Sequence, residues 1–210
     1  MKFYIISPPY ENLNFCPKKF DRLSDIIPVE FFQFRPKFKQ LKKRFDFVEK
    51  NYSAFSKICK KKSIRMIINN DFEIADKFSF DGIHLGPNDK SCITARKRFG
   101  NNFIIGCSCS DSIRLSKKSE AAGANYLAFG PIFNTKHKIK KKVNIKKVME
   151  IRKKISIPFT LIGGINHNNI LELKQIQPNY VAIIDSLWNF KSGPEESAIL
   201  FSKSLNGRYF

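Results

Sequence analysis

The stretch Met66 to Asp89, MIINNDFEIADKFSFDGIHLGPND, sets Asn69, Asn70 and Asp71 after one short apolar run and Asn88 and Asp89 after the next. The runs, Met66 to Ile68 and Gly82 to Leu85, are joined by a segment of helical character, which makes a β-α-β unit. Parallel strands joined this way open their C-terminal edges on the same side, so the Asn/Asp group and Asp89 can face one cavity. Carboxylate and amide oxygens there suit a hard cation such as Mg²⁺, which takes one or two protein carboxylates and leaves its other positions to substrate phosphates and water. Asn and Asp are equally at home in turns that follow strands, so this spacing by itself leaves both readings open.

A second group is Gln33, Arg35 and Lys37, at the end of the apolar run Val29 to Phe34. In an extended chain this Q-x-R-x-K spacing puts three long polar side chains on one side. Arg offers a planar fork of donors and Lys a mobile point charge, a combination suited to phosphate. An ordinary solvated strand end shows the same alternation. Pro36 limits how far ladder pairing continues. A third candidate is Gly163-Gly164 after Phe159 to Ile162, where backbone N–H groups could meet a phosphate.

Composition bounds the partners. A chain of 210 residues, 42% hydrophobic, buries a full core and most simply makes one domain spanning 1–210. Its 38 Lys and Arg against 18 Asp and Glu leave a formal charge of +20, which attracts anions. The basic residues are spread over most segments without a zinc-finger, RRM or KH pattern, which favours phosphorylated small molecules over nucleic acid. The excess of Lys, Asn, Ile and Phe also matches A/T-rich codon usage. Five cysteines, Cys16, Cys59, Cys92, Cys107 and Cys109, lack the density of a disulfide scaffold, and a reducing cytoplasm is the natural compartment. Cys107 and Cys109 have no second ligand pair, so no zinc site is expected. Pro8 and Pro9 interrupt the first apolar run too early for a signal-peptide core, and no segment has the length of a membrane span.

The elements that must position these groups read in order. Phe3 to Ser7 is a strand, an amphipathic segment around Phe20, Leu23 and Ile26 follows, and Val29 to Phe34 is the second strand. Leu41 to Ile58 is helical, with Leu41, Phe45, Val48, Tyr52, Phe55 and Ile58 on one face and a Lys run at the C-terminus that suits the helix dipole. After the central unit, Ser91 to Phe99 is a helix closed by Gly100, Phe103 to Cys107 a strand ending at Ser108, and Asp111 to Ala122 a helix closed by Gly123. Asn125 to Phe129 is a strand, Asn144 to Ile155 a helix, Phe159 to Ile162 a strand, Asn166 to Ile176 a helix, Tyr180 to Ile184 a strand, and Glu195 to Ser204 a last helix. Strand and helix thus alternate about eight times, which is the (β/α)₈ TIM barrel of an α/β protein. A doubly wound open sheet is the alternative and would make different strands neighbours. In a barrel all the polar strand ends share one mouth, and the Gly pair and the turn after Ile184 fall where barrels often bind phosphate.

At this point the chain resembles the thiamine phosphate synthases and their thiazole tautomerase relatives over nearly its whole length. The resemblance is carried by Gln33-Phe-Arg-Pro-Lys37, Ile67-Ile-Asn-Asn70, Asp81-Gly-Ile-His-Leu-Gly86 with Asp89, Ala95-Arg96, Gly123-Ala-Asn-Tyr126, Phe129-Gly-Pro-Ile-Phe133, Thr135 to Lys138 and Leu161-Ile-Gly-Gly-Ile165. Ile6-Ser-Pro-Pro9, Cys107 to Ser112 and Leu187-Trp188 are similar to the alphaproteobacterial branch. The resemblance implies Mg²⁺-dependent coupling of hydroxymethylpyrimidine diphosphate with thiazole phosphate to give thiamine phosphate and pyrophosphate. It implies that Gln33, Arg35, Lys37, Asn69, Ser108 and Lys138 hold the pyrimidine diphosphate, with Lys138, Arg35 and Ser108 in the chemistry. It places Asn70 and Asp89 at the metal positions, Thr135, Lys136 and His137 against the thiazole phosphate, and Gly164, Ile184 and Asp185 at its phosphoryl oxygens. The run Lys138 to Lys142 would form a lid.

Several positions depart from the family pattern. The metal-binding Asp is Asn70, the following Arg is Asp71, a Gln is Pro87, a Thr is His137, and a small residue after the last strand is Asp185. An amide is a weaker Mg²⁺ ligand than a carboxylate. Asp185 would repel phosphate unless its side chain turns from the backbone donors. Strand alternation points Asp71 away from Asn70, so it replaces the missing carboxylate only if the strand end bulges. The two other readings are a degenerate barrel that binds thiazole or thiamine phosphate without turnover, and a thiazole tautomerase, whose base position is occupied here by Ser110.

Overall fold

The computed structural model describes residues 1–135 and 142–206. Eight parallel strands close into a barrel in sequence order, with the last beside the first. They are β1 Lys2–Ile6, β2 Val29–Phe34, β3 Arg65–Asn69, β4 Gly82–Leu85, β5 Ile104–Ser108, β6 Tyr126–Phe129, β7 Phe159–Ile162 and β8 Tyr180–Ile183. The helices are α1 Pro17–Ile26, α2 Leu41–Lys61, α3 Phe72–Lys77, α4 Cys92–Phe99, α5 Ile113–Ala121, α6 Ile145–Arg152, α7 Asp185–Trp188 and α8 Pro194–Asn206. Pairing of β1 with β8, Lys2 opposite Tyr180 through Ile5 opposite Ile183, closes the barrel and excludes the open sheet.

Strand alternation sorts the core into two sets. Phe3, Ile5, Phe32, Phe34, Met66, Ile68, Ile83 and Leu85 face outward under the helices, while Tyr4, Ile6, Phe31, Ile67, Tyr126 and Ala182 fill the lumen. Under α1 and α2 the outer layer is aromatic, with Phe15 and Phe20 each in ring contact with both Phe32 and Phe55, and Phe32 on Phe55 at 4.9 Å. The buried face of α2 is Phe47, Val48, Phe55 and Cys59, whereas Leu41, expected on that face, is 43% exposed. Leu41 is the first residue of the helix.

Local chemistry sets the helix ends. Ser91, Ser112 and Asn144 each accept a backbone N–H three residues on, from Thr94, Leu115 and Lys147, and so cap α4, α5 and α6. Gly100 ends α4 with φ 77°. Where a helix was expected over 166–176, the chain forms a shorter 3-10 helix, Ile170–Ile176. Its buried residues Ile170, Leu173 and Ile176 recur every three positions, the period at which a 3-10 helix aligns side chains. The short α7 was not expected. It buries Trp188, whose Nε1 donates to the Ile6 carbonyl at 2.7 Å and ties the exit of β8 to the exit of β1. No described helix is long and apolar enough to cross a membrane.

Candidate active site

The C-terminal strand ends open onto one mouth, and most of the described site residues stand there. Gln33, on the inward face of β2, is 2% exposed and donates through Nε2 to the Tyr4 hydroxyl at 2.7 Å. Arg35 follows two residues later. Its backbone N–H donates to Ser7 Oγ at 2.8 Å, which fixes the chain where the ladder stops. Burial lowers the Arg35 guanidinium from its ordinary value, and the Asp185 carboxylate pulls it back up. The two charged groups therefore act on each other across the mouth, from the ends of β2 and β8. Lys37 is half-buried, its N–H donating to the Pro9 carbonyl at 2.8 Å.

On the other side are the candidate metal ligands. Asn70 has φ 49°, a left-handed conformation that Asn tolerates better than most residues. Its amide oxygen accepts from Asn69 Nδ2, and its Nδ2 donates to Asp89 Oδ1 at 3.1 Å. Asp89 Oδ2 accepts the Gly86 N–H at 2.7 Å, and the Asp89 N–H returns to the Gly86 carbonyl at 3.2 Å. Pro87 thus sits second in a tight turn, a place where a missing N–H costs nothing. One carboxylate and one amide meet at this point, and turning the Asn70 amide over would present two oxygens. That donor set fits a cation carried in largely by a substrate's phosphates. Among the described residues no group of three or more Cys, His, Asp or Glu could hold a metal unaided.

Asp71 belongs elsewhere. Its carboxylate accepts from Arg44 Nε at 3.1 and 3.0 Å and from Nη2 at 2.9 Å, while Arg44 Nη1 reaches the carbonyls of Phe38 and Lys39. The side chains are only 9% and 22% exposed. Asp71 pins the start of α2 to the loop after β3, and the carboxylate missing at Asn70 is not replaced from there.

Ser108 ends β5 facing inward, with His84 Nε2 2.9 Å from its Oγ. The other ring nitrogen, Nδ1, is 3.0 Å from the Tyr126 hydroxyl, which is 2.7 Å from the Tyr4 hydroxyl. A continuous series of polar side chains thus runs through the lumen from Gln33 to Ser108. Tyr126 fits because β5 carries Gly106 opposite it: a Cβ there would fall 2.0 Å from the Tyr126 ring. Tyr4, His84 and Tyr126 were not among the expected site residues. The signal that could have found them is parity, since each is an inward position on its strand, and a Gly on the neighbouring strand marks where a large ring must go.

The loop glycines have a packing reason as well. Gly163 and Gly164 adopt φ 106° and 66°, and a Cβ on them would lie 2.5 Å from Pro131 and 2.3 Å from the Asn134 carbonyl. The loop after β6 therefore rests on the backbone after β7, with Phe133 and Asn134 against Gly164. Ile184 and Asp185 form the adjoining turn into α7, where Asn189 Nδ2 donates to Asp185 Oδ1 at 2.9 Å. Lys136, His137, Lys138 and most of the Lys138 to Lys142 run lie outside the described residues. Cys107 faces outward into the core under the helices and Cys109 is fully buried, so the thiols near Ser108 stand apart from the mouth.

Known proteins resemble this chain in sequence and fold. The family model for thiamine monophosphate synthase matches residues 3–187. The thiamine-phosphate synthase of Pelagibacter ubique is 36% identical over 193 residues, covering 90% of this chain and 89% of that protein. That of Nitrosococcus oceani is 34% identical over 161 residues, covering 76% and 71%. Among solved structures, the thiamine phosphate pyrophosphorylase from Pyrococcus furiosus superposes with a TM-score of 0.80 at 20% identity, over 98% of this chain and 96% of that one, a likeness of fold. With a family match across most of its length on a closed barrel of the same kind, this chain belongs to the thiamine monophosphate synthase family.

Proposed function

We propose that the protein is a thiamine phosphate synthase, joining 4-amino-2-methyl-5-hydroxymethylpyrimidine diphosphate to 4-methyl-5-hydroxyethylthiazole phosphate. The bond between the pyrimidine methylene and the diphosphate oxygen breaks, its electron pair leaving with pyrophosphate. The thiazole nitrogen then donates its lone pair to the methylene carbon. The observation that carries this reading is the convergence of Gln33, Arg35, Asn69, Asn70, Asp89 and Ser108 at the C-terminal mouth of a barrel of this family.

In this reading Arg35, partly shielded from water, stabilises the charge that grows on the leaving diphosphate, and Lys138 adds to it. Asn70 and Asp89 would hold Mg²⁺ together with the diphosphate, and such an ion would supply positive charge to offset that of the leaving anion. Gln33, Asn69 and Ser108 orient the pyrimidine, while Thr135, Lys136, His137, Gly164 and the Ile184–Asp185 turn serve the thiazole phosphate. The Asp185 carboxylate is offset by Arg35 and the Asn189 amide, which lessens its repulsion of phosphate. A reducing cytosol suits the five free thiols.

One observation favours a second reading. The amide at Asn70 removes a charge from the metal position, which would suit a barrel that binds thiazole or thiamine phosphate without turnover. Purified protein incubated with both precursors and Mg²⁺, followed by oxidation of any product to fluorescent thiochrome, decides between them. Fluorescence above the protein-free control establishes the synthase. Thermal stabilisation by ligand without product would establish the binding protein.

A further inference from the structure

The polar series through the lumen has a direction, because each hydroxyl has one proton to give. Tyr4 Oη already accepts from Gln33 Nε2, so its own proton goes to Tyr126, the remaining oxygen in reach among the described residues. Tyr126 then gives its proton to His84 Nδ1. A neutral ring that accepts at Nδ1 carries its proton on Nε2, which donates to Ser108 Oγ. The Ser108 proton is left for a partner outside the series, on the side of the mouth. The opposite direction would give Tyr4, 1% exposed, a proton with no acceptor unless the Gln33 amide turned over. Burial holds the phenols of Tyr4 and Tyr126 well above their ordinary range, so both keep their protons through neutral pH.

We propose that Tyr126 is a positioning residue for the transfer: its hydroxyl holds His84 in the Nε2–H tautomer and thereby leaves the Ser108 hydroxyl as a hydrogen-bond donor to the bound pyrimidine diphosphate. This rests on the assignment of Ser108 to that substrate. Tyr126 itself touches no ligand in this scheme. It is 1% exposed, its ring lying over Gly106 and stacked on Phe31 at 5.3 Å. Tyr126 is buried at the centre of the series while Ser108 at its end is partly exposed, so a change at Tyr126 alters how Ser108 presents its hydrogen bond without removing a group of the mouth.

The test has a part that needs no substrate. Long-range ¹H–¹⁵N correlation spectra of the full ¹⁵N-labelled chain resolve the tautomer of each of its 3 histidines, assigned with His137→Asn and His167→Asn variants. The expected result is a pyridine-like Nδ1 and a protonated Nε2 on His84, with that preference lost in Tyr126→Phe. A protonated Nδ1 in the wild type overturns the proposal. The second part is kinetic: Tyr126→Phe lowers kcat by about ten- to a hundredfold, part of what losing a direct transition-state donor costs, with KM for the thiazole phosphate unchanged. In a Ser108→Ala background the same change costs less than about twofold, because a residue acting through Ser108 has nothing left to position. Equal losses in both backgrounds overturn it. Phe keeps the ring over Gly106, and if the variant nonetheless fails to fold, the wild-type His84 tautomer alone decides, since a protonated Nδ1 overturns the proposal. A wild type that makes no thiamine phosphate refutes the synthase reading, and the His84 tautomer still reports on Tyr126.

Discussion

Replacing Asp71 separates a structural carboxylate from a metal ligand. In Asp71→Ala the Arg44 guanidinium loses three contacts at 2.9 to 3.1 Å and keeps only those of Nη1 to the Phe38 and Lys39 carbonyls. Removing one partner of a fully buried pair costs about 3–5 kcal/mol, and an exposed pair about 0–1 kcal/mol. With Arg44 22% and Asp71 9% exposed, the loss falls between these limits, about 2 kcal/mol, or about 4–8 °C in Tm for a chain of this size. Differential scanning fluorimetry measures it. The Mg²⁺ concentration for half-maximal thiochrome formation should not move, whereas Asn70→Asp should lower it by restoring a charged ligand beside Asp89. An unchanged Tm together with a lost Mg²⁺ response in Asp71→Ala would refute the assignment and make Asp71 the working ligand.

Arg35→Lys keeps the charge but loses the planar fork, and should cost about 1–3 kcal/mol in transition-state binding, roughly 5- to 160-fold in kcat/KM by steady-state kinetics. Gly106→Ala places a Cβ 2.0 Å from the Tyr126 ring, and denaturant unfolding should show a loss of about 1–3 kcal/mol from overpacking. Because burial raises the Tyr4 and Tyr126 phenols while the unfolded phenols ionise near the usual value of about 10, stability is intact below that pH and falls as pH rises beyond it. Unfolding curves at increasing pH should show this decline, and it should flatten in a Tyr4→Phe, Tyr126→Phe variant. Lys138→Ala should lower kcat far more than Lys141→Ala, and equal small effects would leave the loop with only a general positive field.

The sequence by itself determined the eightfold alternation of strand and helix, though not the short α7 or the 3-10 form of Ile170–Ile176, and the polar residues at the strand ends. These rest on local rules: apolar runs of strand length, Ser and Asn caps, a C-terminal Gly, and side-chain parity, all of which act within a few residues. Parity alone also implied that Asp71 points away from Asn70. What it could not supply was the partner Asp71 would find, because Arg44 lies 27 residues earlier on a different helix. The Tyr4–Tyr126 contact spans 122 positions and exists only because closing the sheet points β1 and β6 into one lumen. Tertiary structure likewise decided that the Asp185 carboxylate acts on the Arg35 guanidinium and that the loop after β6 requires glycines at 163 and 164. A side chain chooses its hydrogen-bond and charge partners by distance through space, and that distance is set only when the barrel closes.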